Sequence, residues 1–205
     1  MIKINLFWLI SWYARHCNGV WEKTHGIEIE TLGNPGWRIK ISLEGTELED
    51  KKFQKVSVDR TENDWLFCKV ENSLFDSACS TFNVSEGLKI FKNWAEDNSE
   101  SEIFETKNEL NDDWYWIINW YHSQCDGYWE GSFGIQIESR EDQGWNITIC
   151  ARETELEDKK FQEFSIQRIE TDWVHCKIED GYFKANCGTF NVAEVFQIFR
   201  NWAES

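Results

Sequence analysis

The chain has 205 residues, 41% hydrophobic and 28% charged, the balance of a soluble globular protein of one or two domains rather than a disordered one. Its formal net charge of −16 argues against nucleic acid or an anionic membrane as the direct partner, because phosphate would be repelled. The same charge suits a basic partner, although high charge is also a common route to solubility. Seven cysteines, an odd number without CxxC spacing, fit neither a zinc site nor a disulfide scaffold, so reduced thiols in a cytoplasm are the simplest reading.

Self-similarity organises the chain. Residues 5–97 match residues 113–205 at a constant offset without a gap, and about half of the matched positions are identical. The longest identical run is TELEDKKFQ, at Thr46–Gln54 and Thr154–Gln162; TFNV and NWAE also recur. Residues 1–97 and 113–205 are therefore read as two modules, each expected to fold by itself, and residues 98–112 as an acidic polar linker.

In chain order, each module opens with an aromatic helix. Leu6, Leu9, Ile10, Tyr13 and Cys17 recur at three- and four-residue steps, and Gly19 or Gly127 follows where a helix wants a residue free to adopt positive φ. The apolar start behind Lys3 has the look of a signal peptide, but the pattern recurs at Trp114–Tyr121, so it belongs to the fold. No apolar run reaches the roughly 18 residues of a membrane span. Four alternating stretches come next: Ile27 and Ile29; Trp37, Ile39, Ile41 and Leu43; Val56 and Val58; Leu66, Cys68 and Val70. A period of two over short segments predicts a sheet with one buried face. Asn83 with Glu86, and Asn191 with Glu194, have the spacing of a capping box before a closing helix whose stripe is Leu88, Phe91 and Ala95. The fold class is α+β: two tandem copies, each a four- to five-stranded antiparallel sheet with an N-terminal and a C-terminal helix.

Shared chemistry should survive in both copies. The histidines do not: His16, His25, His122 and His175 match Gln124, Phe133, Ala14 and Phe67. Cys17 and Cys125 do match, but without a matched base they read as packing residues. Cys68, Cys176, Cys79 and Cys187 read as core. Cys150 has no match and alternates onto the face opposite Trp145, Ile147 and Ile149, which predicts the most reactive thiol there. No metal-ligand spacing and no glycine-rich phosphate loop is present, so no metal, cofactor or catalytic residue is assigned. The paired carboxylates, among them Glu22/Glu130, Glu47/Glu155 and Glu49/Glu157, leave a hydrolase open as an alternative, as is a module that binds a peptide or small ligand. ELED reads as a solvated turn. Of the tryptophans, Trp12, Trp37 and Trp94 read as core, whereas Trp65 and Trp173 lie on the strand face opposite Leu66 and Cys68 and suit a binding anchor.

These motifs resemble the immunity protein 53 family of bacterial polymorphic toxin systems. The resemblance rests on Trp12-Tyr13, on Cys17-Asn18-Gly19-Val20-Trp21-Glu22, on Thr31–Trp37, on Asp64-Trp65 with Cys68, and on Ile90-Phe91 with Trp94-Ala95, and covers nearly all of both copies. The family's CDG-x-WE form is kept at Cys125–Glu130, while the first copy has Asn18 in place of the acid. Conversely, NPGW stands at Asn34–Trp37, and Asp142-Gln143-Gly144-Trp145 replaces it in the second copy. The resemblance implies a cytoplasmic protein that binds and blocks a cognate toxin without catalysis. The charge of the halves differs: about 12 basic and 15 acidic side chains in residues 1–97, about 8 and 17 in residues 113–205. A basic toxin such as a nuclease would then meet mainly the second copy. The expected contacts are Trp129, Glu130, Trp173, Asp126, Glu141, Asp142 and Glu153, with Trp21, Glu22 and Trp65 extending the surface.

Overall fold

Alternation of apolar and polar residues, which buries one face of a strand, recurs in eight of the ten strands of the computed structural model, which describes residues 2–97 and 113–205; the other two, at the sheet edges, bury no residue. In the first copy α1 (Ile2–His16) precedes β1 (Ile27–Leu32), β2 (Gly36–Ser42), β3 (Val56–Thr61), β4 (Asp64–Glu71), β5 (Leu74–Ser80) and α2 (Val84–Ala95). The second copy repeats this with α3 (Asp113–Gln124), a one-turn α4 (Trp129–Ser132), β6 (Ile135–Ser139), β7 (Trp145–Cys150), β8 (Phe164–Ile169), β9 (Asp172–Glu179), β10 (Tyr182–Cys187) and α5 (Val192–Glu204). Each copy thus supplies five strands, all antiparallel to their neighbours. The expected linker, 98–112, lies outside the described residues.

The strands form a single sheet in the order β3-β4-β5-β2-β1-β6-β7-β10-β9-β8. The copies meet where β1 pairs with β6, with Ile29 opposite Ile137 and Glu28 opposite Glu138. Hydroxyls close both ends of this short ladder: the Ile27 amide donates to Ser139 Oγ at 2.8 Å and the Ile135 amide to Thr31 Oγ1 at 2.9 Å. Ser139 and Thr31 are matched positions, so the seam has approximate two-fold symmetry. Gly26 and Gly134, also matched, lie so close to these hydroxyls that a Cβ on either would land on the oxygen.

The long helices pack over the inner face, α2 on β2, β4 and β5, and α5 on β9 and β10. The opening helices cross the seam. Tyr13 of α1 lies 5.1 Å from Trp145, tilted against it, and donates its hydroxyl to Arg140 O at 2.7 Å; Tyr121 of α3 lies 5.3 Å from Trp37 and donates to Leu32 O at 3.1 Å. Buried residues of both copies accordingly join one continuous core, and each copy completes the other's.

Two local readings change. Asn83 and Asn191 precede α2 and α5 but make no side-chain cap. Their NH2 groups instead donate to Asp64 and Asp172 at 2.7 and 2.8 Å, carboxylates that Arg60 and Arg168 also hold, and this orients the amide so that its oxygen does not accept a helix N–H. The ELED turn has its acids in solvent, as expected, and is also a clip. Trp12 and Trp120 donate to Glu47 and Glu155 at 3.3 and 2.8 Å; Lys51 and Lys159 donate to the last carbonyls of α2 and α5; Leu48 and Leu156 are buried. The clip ties opening to closing helix, which accounts for the longest identical run.

Gly26→Ala and Gly134→Ala should each lower the stability of the full chain by about 1–3 kcal/mol, as overpacking of a tight site does. Thermal or urea unfolding reads the loss; an unchanged midpoint for both would mean that the seam is not tightly packed.

Candidate partner-binding surface

The CxGxWE segment has the residue types of a binding motif and the geometry of a lock. The Asn18 carboxamide oxygen accepts the amides of Val20 and Trp21 at 2.9 and 3.0 Å, and Asp126 does the same for Tyr128 and Trp129, both at 2.9 Å. The acid-for-amide difference between the copies therefore keeps one turn. Glu22 then accepts the amides of Asn18 and Gly19, and Glu130 those of Asp126 and Gly127, while both glycines sit at positive φ. Trp21 and Trp129 send their indole N–H to the Glu44 and Arg152 carbonyls at 2.7 and 2.8 Å.

Trp21, Glu22, Trp129 and Glu130 were expected to face a partner, and the structure corrects this: all four are buried, Trp129 to 2% and Glu130 to 6% exposure. Burial pushes the Glu22 carboxyl up, but the amides of Asn18 and Gly19 and the Gln143 side chain outweigh it and hold the group below its ordinary value. Asp126 remains exposed, and the Trp129 and Tyr128 amides hold it low as well. What this turn shows to solvent is Val20 in one copy and Tyr128 in the other.

The remaining expected contacts do not form one patch. Trp65 and Trp173 stand half-buried on the outer face, Trp65 beside Phe67 at 5.7 Å and Trp173 under the Arg140 guanidinium at 6.0 Å. Asp142, exposed, is held by Arg140 in a two-pronged pair at 2.8 Å, which lowers its pKa against partial desolvation. Glu141 is exposed beside it in the β6–β7 turn; Glu153 is exposed beyond the other end of β7. A six-residue strand separates the two by roughly 20 Å.

The pairing of the copies creates a carboxylate cluster that neither sequence half displays. On the outer face Lys40 bonds Glu28 and Glu30, each at 3.0 Å, and Glu138 enters from the second copy opposite Glu28. Thr148 stands where Lys40 has its match, so Glu138 lacks the lysine that serves Glu30. Burial and then the Glu28 and Glu30 charges push the Glu138 carboxyl up, with Lys40 opposing. A shallow groove of about 400 Å³ runs over this cluster, with His25 and Glu141 at its end.

The thiols carry the opposite of activation. The Cys17 and Cys125 thiols are pushed up to about 11 by burial, the reverse of an activated nucleophile. The expectation of a reactive Cys150 is corrected too. It does lie on the outer face, but it is fully buried there, opposite Tyr182, whose ring is covered by Arg152 at 4.9 Å. Cys17 and Cys125 are the least buried thiols. Among the described residues no cluster of His, Cys, Asp or Glu gathers to hold a metal ion, and no helix is long and apolar enough to cross a membrane.

A family model described as immunity protein 53 matches residues 6–96 and, separately, residues 114–204. No curated protein and no solved structure gives a match.

Because Glu28 and Glu138 are like charges directly opposed, Glu138→Gln should stabilise the chain by about 0.5 kcal/mol at pH 7. A raised folded pKa means that the cost of ionised Glu138 is absent where the carboxyl is protonated in both states, below about pH 4, and grows as pH rises through the folded value. Paired melts at pH 7 and below pH 4 should therefore show a gain that disappears in acid. An equal gain at both would assign it to something other than charge.

Proposed function

The chain belongs to the immunity protein 53 family through both of its halves, and from that premise we propose that it protects a cell by binding a cognate toxin and covering its active or substrate-binding surface. The observation that carries the reading is that the motifs shared by both copies are engaged internally. CxGxWE locks a turn, ELEDKK clips two helices, and Arg60 or Arg168 pins a hairpin to the closing helix. Matched residues that hold the scaffold and leave no poised acid, base or nucleophile suit a protein whose surface does the work.

The partner is a basic domain, a nuclease among the classes that fit. The chain carries net charge −16, and charge of one sign steers an oppositely charged partner at long range. The second copy is the more acidic half and makes the main electrostatic contact, with Glu141, Glu153 and Asp126 exposed on it and Trp173 half-exposed. Free thiols throughout the described residues suit a reducing cytoplasm, where an immunity protein must meet its toxin.

Co-purification with the toxin encoded beside it, followed by inhibition of the toxin's activity, tests the reading; a toxin that neither binds nor loses activity contradicts it. Steering by charge acts chiefly on the association rate. Glu141→Gln with Glu153→Gln should slow association several-fold and flatten its dependence on salt, with little change in dissociation. Unchanged association over the salt series would remove the electrostatic role assigned to the second copy.

A further inference from the structure

The ten-stranded sheet has two open edges, β3 and β8, and each presents a row of main-chain N–H and C=O groups without a strand partner. They are matched strands, each paired to a matched neighbour, and differ there in that His175 stands 3.6 Å from Glu163 where the first copy has Phe67 and Lys55. Both carry a bulge, between Asp59 and Thr61 and between Gln167 and Ile169. Both are held by the same arginine device: Arg60 bonds Asp64 and Glu86, and Arg168 bonds Asp172 and Glu194. The anchoring is the same; what the edges display is not.

On β3 and its flank stand Lys55 and Asp59, the kind of charges that keep an edge from pairing, and the apolar Val56 is half-buried. At the same places β8 has Glu163, Gln167 and Phe164, and Thr61 is matched by Ile169. Phe164 is 36% exposed and Ile169 63% exposed, large apolar groups near the two ends of one open strand. The Gln167 amide bonds the Ile169 carbonyl at 2.7 Å, so no charged side chain stands in the place of Asp59. The second copy keeps the bulge and a flanking charge at Glu163, but it lacks the charge that Asp59 gives β3 and has gained apolar surface at Phe164 and Ile169.

Charge selects the occupant. Glu163 and Glu170 flank β8. A second copy of this chain adding antiparallel would set Glu163 against Glu170, and adding in parallel would set each against itself, in two molecules that each carry −16. An extended segment with Lys or Arg near its ends and an apolar residue between them meets the opposite situation. We propose that β8 is the strand onto which the toxin adds such a basic, extended segment, extending the sheet to an eleventh strand, and that β3 is not used. This rests on the reading of the chain as a toxin binder.

The test uses the full chain and the toxin encoded beside it. Amide exchange on the unaltered complex should show protection of residues 164–169 and none of residues 56–61. Replacing the β8 residues with those that β3 already carries in the same fold (Glu163→Lys, Phe164→Val, Gln167→Asp, Ile169→Thr) should leave the melting curve intact and weaken binding at least about tenfold. The reciprocal set on β3 (Lys55→Glu, Val56→Phe, Asp59→Gln, Thr61→Ile) should change affinity less than about twofold. The exchange measurement decides the matter even if a substituted chain folds poorly. Binding of the toxin with no protection at residues 164–169 overturns the proposal and leaves the functional reading standing; absence of any binding by the unaltered chain removes both. A toxin-free dimer that Ile169→Thr abolishes would make a second copy the occupant and overturn the proposal equally.

Discussion

The pairing of β1 with β6 sets the form of everything else in the molecule. Three opposed residue pairs would be a weak junction alone, and its strength comes from what crosses above it. Tyr13 and Tyr121 each reach into the other copy, place a ring on its tryptophan, and spend a hydroxyl on a carbonyl of its hairpin turn. Burial pushes both phenols far up from their ordinary value, as expected for hydroxyls committed to a neutral, water-free bond. A copy without its sibling would expose a strand edge at β1 or β6 together with Trp37 or Trp145. The duplication is therefore a structural pair, with one core and two ends.

That arrangement decides where a partner can act. The seam consumes two of the four strand edges that two separate sheets would have, and the helices cover one face. The outer face, the loops and the edges β3 and β8 remain. Motif residues that look most like contacts lie inside, and the exposed places in which the copies differ include Glu141 and Glu153, Tyr128 against Val20, and Phe164 and Ile169 against Val56 and Thr61. Divergence on a shared scaffold is how one body can present two unlike ends, one charged and closed to pairing, the other open.

Much of the fold was legible because strands and helices declare themselves locally. Ile27 and Ile29, or Trp37, Ile39 and Ile41, alternate at period two whatever they pack on, and the repeat fixed the boundaries. The seam was not legible for the same reason: Ile29 buried against Ile137 has the pattern of any inner-face residue, and no local rule distinguishes a neighbour within a copy from one across copies. The matched pairs Gly26/Gly134 and Thr31/Ser139 were the available signal, since a glycine and a hydroxyl retained at both places mark a close approach. Trp129 and Glu130 were misplaced because an indole and a carboxylate serve a buried turn as well as an interface. Cys150 lies on the expected face but is not accessible, because Tyr182, on a strand 32 residues further on, covers it with Arg152 packed over the ring.

The dependence of each copy on the other can be measured directly by opening the chain between them. A specific protease site placed within residues 98–112 of the full chain allows the covalent link to be cut after folding. Residues 1–97 and 113–205 should then co-elute at the size of the intact protein, melt in one transition, and bind the toxin as before. Two folded monomers that separate under native conditions and melt independently would contradict the shared core.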